Sequence, residues 1–127
     1  DIAYKLVKYD GRPVLKLSTG KRTLVGEKQV FRIEEKGQLK QDIIALRDET
    51  LDGEPMLKQV MKNGKRLKPP EDLKVIRERF KDEFAKLDDR YKHLEIPENF
   101  PVKISAGLQK LQNQVIFKVR EKELGES

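Results

Sequence analysis

"KQVFRIEEKGQLKQDIIALRDE", residues 28–49, decides the fold class. In "KQVFRIEE" Phe31 and Ile33 fall on one face and Val30 and Arg32 on the other, the two-residue period of a strand. "KGQ" turns the chain, and "QDIIALRDE" carries an Ile43-Ile44-Leu46 cluster that reads as a second, more buried strand. Toward the N-terminus, Tyr4–Tyr9 and Val14–Leu17 flank "DGRP". There Asp10-Gly11 supplies the positive φ of a tight turn and Pro13 ends it, so a hairpin is expected. Toward the C-terminus, "MLKQVM", "KNGK" and "RLK" predict another hairpin with Asn63-Gly64 at its corner.

Past Pro69-Pro70 the period changes. Leu73, Ile76, Phe80, Phe84 and Leu87 form a helical stripe that predicts a helix from about Glu71 to Leu87, with Phe80 and Phe84 buried. Glu71 and Asp72 suit its positive end and Pro70 its first turn. "IPENFP" reads as an extended linker. A second helix is expected from about Ala106, with Leu108, Leu111, Val115, Ile116 and Val119 on one side and Gly125 near its end. Antiparallel strands in the first half followed by two helices make the fold class α+β. Residues 1–68 form a β-rich segment and residues 69–127 a helical one, expected to close into one compact unit.

Composition narrows the chemistry. The 127 residues hold no cysteine, which excludes disulfides, thiolate metal sites and cysteine nucleophiles, and one histidine, too few for a histidine-built zinc site. No apolar run approaches the ~20 residues of a membrane span, and no signal peptide is visible. Apolar residues are 36% and charged residues 39% of the chain, with mean hydropathy −0.75, a lean core for an independent globule. Such a chain suits a piece that completes its burial against something else. Twenty-eight cations face 22 acids, a mixed surface rather than a one-signed arm, so nucleic acid is not the expected partner.

Gly20 and Gly26 bracket "KRTLV", with Lys16, Lys21, Arg22, Lys28 and Arg32 around them, a composition that suggests phosphate binding. The P-loop spacing fails, because Gly20-Lys21 is followed by Arg22 and then by a strand-like run. A solvated, turn-containing β segment is the preferred reading. The carboxylate pairs Asp48-Glu49, Glu71-Asp72, Asp82-Glu83 and Asp88-Asp89 lie in polar, helix-end or turn-like surroundings, where nothing raises their pKa values toward catalysis. His93 has no visible orienting partner, and Ser18, Ser105 and Ser127 lack a nucleophile elbow. The residues alone present no catalytic constellation.

As a string, "YKLVKYDGRPVLKLSTGKRTLVGEKQVFR" resembles the segment that follows the catalytic barrel in nicotinate phosphoribosyltransferases. Tyr4-Lys5-Leu6-Val7, Gly11, Pro13, Lys16-Leu17-Ser18, Gly20-Lys21, Thr23-Leu24, Gly26 and Lys28-Gln29-Val30-Phe31-Arg32 carry the match. "DIIALRDE", "GEPMLKQVMKNGKRL", "IRERFKDEFAKL" and "FPVKISAGLQKLQ" extend it over nearly the whole chain. Val25 departs from the family's proline before Gly26, and "DIA" replaces its glycine-containing approach to Tyr4.

The resemblance implies a C-terminal region of a type II phosphoribosyltransferase, packed on the catalytic barrel upstream. The family joins nicotinate to phosphoribosyl pyrophosphate in the cytoplasm. That makes nicotinate mononucleotide for pyridine nucleotide and NAD biosynthesis, as a glycosyltransferase also classed as a ligase. ATP hydrolysis, with magnesium, is coupled through a phosphorylated histidine. A homo-oligomer is expected, and no membrane. No catalytic, cofactor-binding or metal residue of the family transfers to this chain, which alone is expected to be inactive. Lys21, Lys28 and Arg32 are the weak candidates for contact with an anion, lending positive potential to a neighbouring polyphosphate site. The rival readings are a stand-alone basic module binding nucleic acid or an acidic protein, and an oligomerisation domain.

Overall fold

The computed structural model describes residues 3–18, 21–96 and 98–125, with residues 21 and 22 by their backbone alone. In chain order, the strands begin with the pair β1 (Lys8–Tyr9) and β2 (Arg12–Pro13), then β3 (Leu17–Ser18) and β4 (Lys21–Arg22). The long strands β5 (Lys28–Glu35) and β6 (Gln38–Leu46) follow, then β7 (Glu54–Pro55), β8 (Met61–Lys62) and β9 (Lys65–Arg66). Next come helix α1 (Leu73–Ala85), a 3-10 turn at Asp89–Tyr91, strand β10 (Val102–Ile104) and helix α2 (Ala106–Gly125). The α+β expectation holds.

Local chemistry explains the corners. Asp10-Gly11, Lys36-Gly37 and Asn63-Gly64 all take positive φ (48° and 70°, 51° and 77°, 49° and 73°), the twist that lets a two-residue turn join antiparallel strands. Tyr9 accordingly faces Arg12, and Lys62 faces Lys65. The pairs flanking the first and third of these corners are only two residues long, much shorter than the apolar alternation around them suggests.

The principal sheet has the order β10-β6-β5-β7. Two of its strands escaped the sequence reading. β7 contains a proline, and it lies antiparallel to β5 with Phe31 opposite Pro55. Gly53 leads into β7 at φ 109°, and a Cβ there would come 2.7 Å from the Arg32 carbonyl oxygen. β10 follows directly on "IPENFP", the stretch that reads as a linker. Asp42 N–H donates to Pro101 O and Ser105 N–H to Ile44 O, so the partners advance together along both strands.

The contacts divide the chain into two units, each assembled from separate stretches. Unit 1 comprises residues 1–29, 44–51 and 104–127; unit 2 comprises residues 30–43 and 52–103. In unit 1 the core is Val25, Leu108 and Val115, flanked by Leu15, Leu24, Ile44, Leu46, Leu111 and Val119. The α2 stripe therefore turns inward as its periodicity predicts. In unit 2, Phe31 and Leu39 are buried.

Helix α1 departs from expectation. Asp72 caps it, accepting the Lys74 N–H, but none of its residues is buried. Phe80 is 64% exposed and Phe84 44%. Their rings stack on each other at 5.5 Å, and the Lys92 ammonium lies 4.7 Å over Phe84. The apolar stripe exists, but among the described residues its α1 members stay unburied and only Leu87, beyond the helix end, is half-buried. Along the strands, by contrast, Phe31 is buried and Val7, Val14, Ile33 and Ile44 are half-buried.

Candidate functional site

In unit 1 the turn before β5 is built around Val25. Its side chain is fully buried, and its N–H donates to Gln112 Oε1 at 2.9 Å. Gln112 Nε2 in turn donates to Thr23 O at 3.0 Å, so one amide on α2 satisfies the backbone on both sides of Leu24. Where the resemblance puts proline, this chain uses an N–H that proline lacks. Gly26 takes φ 77°, and its N–H donates to Val7 O.

Lys28 folds back onto this turn. Its Nζ donates to Leu24 O at 2.8 Å and to Gly26 O at 2.6 Å. Burial pushes its pKa below the usual lysine value of 10.5. The ammonium thus serves as a backbone clamp, with two of its three donors on carbonyls.

A second cluster closes the start of α2. Ser105 Oγ accepts the Leu108 N–H at 3.1 Å, a helix N-cap, and donates to Glu49 Oε2 at 2.6 Å. The same carboxylate oxygen accepts the Leu46 N–H at 2.6 Å. Gly107 makes room for it, since a Cβ there would sit 2.8 Å from the Glu49 Cδ. The acid at position 49 holds a strand end to a helix start, which leaves it no reacting partner.

In unit 2, Arg32 meets Asp42 in a two-pronged pair, Nε to Oδ1 and NH2 to Oδ2, both at 2.9 Å. Glu83 adds a longer contact at 3.9 Å. The Asp42 hydrogen bonds raise the Arg32 pKa above its usual value. Lys86 bridges Glu34 and Glu83, each at 3.1 Å, and its pKa is raised by Glu34 first and Glu83 second.

Of the three cations named for anion contact, Lys28 makes two hydrogen bonds to backbone carbonyls in unit 1 and Arg32 makes two to Asp42 in unit 2. The side chain of Lys21 lies outside the described residues, as do Gly20 and Ser127. The carboxylate pairs act as caps and ion-pair partners: Glu71 binds Arg79, Asp72 caps α1 and Asp88 caps the 3-10 turn. His93 is exposed among Leu94, Glu95 and Ile96. Among the described residues no cluster of three or more His, Asp or Glu could hold a metal ion. Nor, among them, is any helix long and apolar enough to cross a membrane.

A cleft of about 560 Å³ in unit 1 is lined by Lys8, Glu27, Arg47 and Asp48 over Pro13, Leu46 and Leu111. Three of its charges meet one another: Glu27 contacts Lys8 at 3.3 Å with one oxygen and Arg47 at 3.7 Å with the other. What sequence reasoning missed here is polar and non-local, namely Gln112 and the Glu49–Ser105 link. Ser105 before Ala106 carried an N-cap signal, and Gln112 interrupting an apolar stripe carried another.

The described residues form an α+β region with capped helices, and among them no reactive groups converge. The fold matches a crystal structure of human nicotinic acid phosphoribosyltransferase with a TM-score of 0.77 over 90% of this chain and 26% of that one, at 23% identity. Residues 50–112 match the family described as nicotinate phosphoribosyltransferase C-terminal domain. Nicotinate phosphoribosyltransferase pncB2 of Mycobacterium tuberculosis, from two strains, is 46% identical over 68 residues. That alignment takes in 54% of this chain and 15% of each relative, so the chain spans a small part of the proteins it matches. The chain is a C-terminal region of the nicotinate phosphoribosyltransferase family. A stand-alone interaction module is not favoured.

Proposed function

We propose that this chain serves as the scaffolding C-terminal part of an enzyme that makes nicotinate mononucleotide from nicotinate and phosphoribosyl pyrophosphate. ATP hydrolysis, with magnesium, drives that step of NAD biosynthesis in the cytoplasm. The observation that carries the reading is the family match over residues 50–112, supported by the 46% identity to relatives that bear that enzyme's name. The reaction is a glycosyl transfer, and its energy coupling gives it the ligase class as well. The catalytic part of the same enzyme, assembled as a homo-oligomer, is the partner.

In this reading the chain's charged groups hold its own backbone. Lys28 clamps a turn, and Arg32 joins two strands through Asp42. Lys21, Lys28 and Arg32 are the candidates for an anion contact at the neighbouring site, the last two with donors to spare beyond these bonds. The test compares the native gene product with the 127-residue chain in a nicotinate mononucleotide assay. Turnover by the native product and none by the chain is the expected result. Product formed above background by the pure chain, or none by the native protein, would overturn the proposal.

A further inference from the structure

A groove in unit 1 has a character unlike the cleft beside Glu27. About 410 Å³ in volume, it runs between the β1–β2 hairpin and the C-terminal half of α2. Its floor is apolar: Val14, Leu15, Val115 and Val119 are buried or half-buried. Its rim carries Arg12 from the hairpin and Lys118 and Lys122 from α2, with the Tyr9 ring beside them. No acid lines it.

Two features give the rim its charge. Lys118 and Lys122 are one helical turn apart, so both ammonium groups project along the same edge. Among the described residues neither has an ion-pair partner, and Arg12 reaches only Asp10, at 3.9 Å between exposed side chains. In the larger cleft, by contrast, Glu27 and Asp48 balance Lys8 and Arg47 in number, and Glu27 contacts both cations. The volume lies in the range of small-molecule sites, which typically pair an apolar lining with a few convergent polar groups.

We infer that this groove binds a small organic anion: an apolar ring or chain bearing a carboxylate, sulfonate or phosphate ester. The body would lie on the Val14–Val119 floor against Tyr9, and the anionic head would sit between Arg12 and the two lysines. The inference is independent of the catalytic reading, since it concerns only groups within unit 1.

The test titrates the 127-residue chain with anilinonaphthalene sulfonate and with its uncharged analogue phenylnaphthylamine. The variant Lys118→Ala/Lys122→Ala is compared with Lys103→Ala/Lys110→Ala, which removes the same charge from residues outside the groove. The groove variant should weaken the sulfonate by about threefold to tenfold, as two exposed charge contacts allow, and leave the uncharged probe unchanged. The control should change neither. No sulfonate binding, equal loss in both variants, or an uncharged probe that binds as tightly as the sulfonate would each overturn the assignment. The last two results would instead point to net charge and to the uncovered α1 stripe.

Discussion

At the scale of single residues, the strongest constraints are polar groups that answer backbone. Gln112→Ala would strand the buried Val25 N–H and the Thr23 carbonyl together. It should cost about 2–3 kcal/mol in urea unfolding, because an unsatisfied buried group loses its water without a replacement. A cost under about 0.5 kcal/mol would mean that water or a neighbour takes over the amide's role. Arg32 supplies a second case. Its planar fork matches the Asp42 carboxylate, and lysine at that position would offer a single point of charge. A double-mutant cycle between Arg32→Met and Asp42→Leu should give a coupling of about 1–2 kcal/mol, above that of an exposed pair. These residues were poorly legible beforehand. The cations of residues 16 to 32 stood out as a cluster, but the acceptors of Lys28 are backbone carbonyls that any sequence could provide. Gln112 lies 87 residues from Val25, and no periodicity links them.

Among elements, legibility follows the strength of the local signal. Xaa-Gly corners, the β5–β6 hairpin and both helices have signatures within a dozen residues, and the structure places them where those signatures fall. β7 and β10 have none, since two or three residues become a strand only because a longer neighbour offers an edge. The α1 stripe was legible as a helix, whereas its burial depends on what packs there. Phe80→Ala should therefore change the stability of this chain by less than about 1 kcal/mol, against about 2–5 kcal/mol for Leu108→Ala in the unit 1 core. Equal costs in thermal or urea melts would show that the stripe is covered after all.

The start of α1 also responds to pH. Arg79 holds the Glu71 carboxyl below its usual 4.5, chiefly through their hydrogen bonds. A carboxyl whose folded pKa is depressed adds stability above its unfolded value, and that contribution is lost as pH falls through the folded one. Protection of the amides in the first turn of α1, relative to their intrinsic exchange, should fall on acidification below 4.5, and Glu71→Gln should remove that part of the dependence. Identical acid profiles for the two proteins would assign the effect elsewhere.

For the whole molecule, most of the exposed large apolar side chains lie in unit 2, among them Leu57, Val60, Met61 and Leu67 along the chain before α1, Ile76, Phe80 and Phe84 on it, and Leu94 and Ile96 beyond. Isolated exposed leucines need no explanation, but so many in one unit point to surface that is covered in a larger assembly. The 127-residue chain should therefore sediment with concentration-dependent association, and Phe80→Asp/Phe84→Asp should make it monomeric. A chain that is monomeric at all accessible concentrations would remove the argument for a covering partner.

The interleaving of the two units has a consequence for synthesis. Val25 leaves the ribosome well before the groups that bury it, because Leu108, Val115 and the amide that binds its N–H all belong to α2. At about 5–20 residues per second, the gap between Val25 and Leu108 corresponds to roughly 4–17 s of translation. Throughout that interval the first strands of unit 1 have no helix to close over them. Nascent chains halted before α2 should therefore be cut readily by protease near Val25, and those extended through Val119 and clear of the exit tunnel should resist.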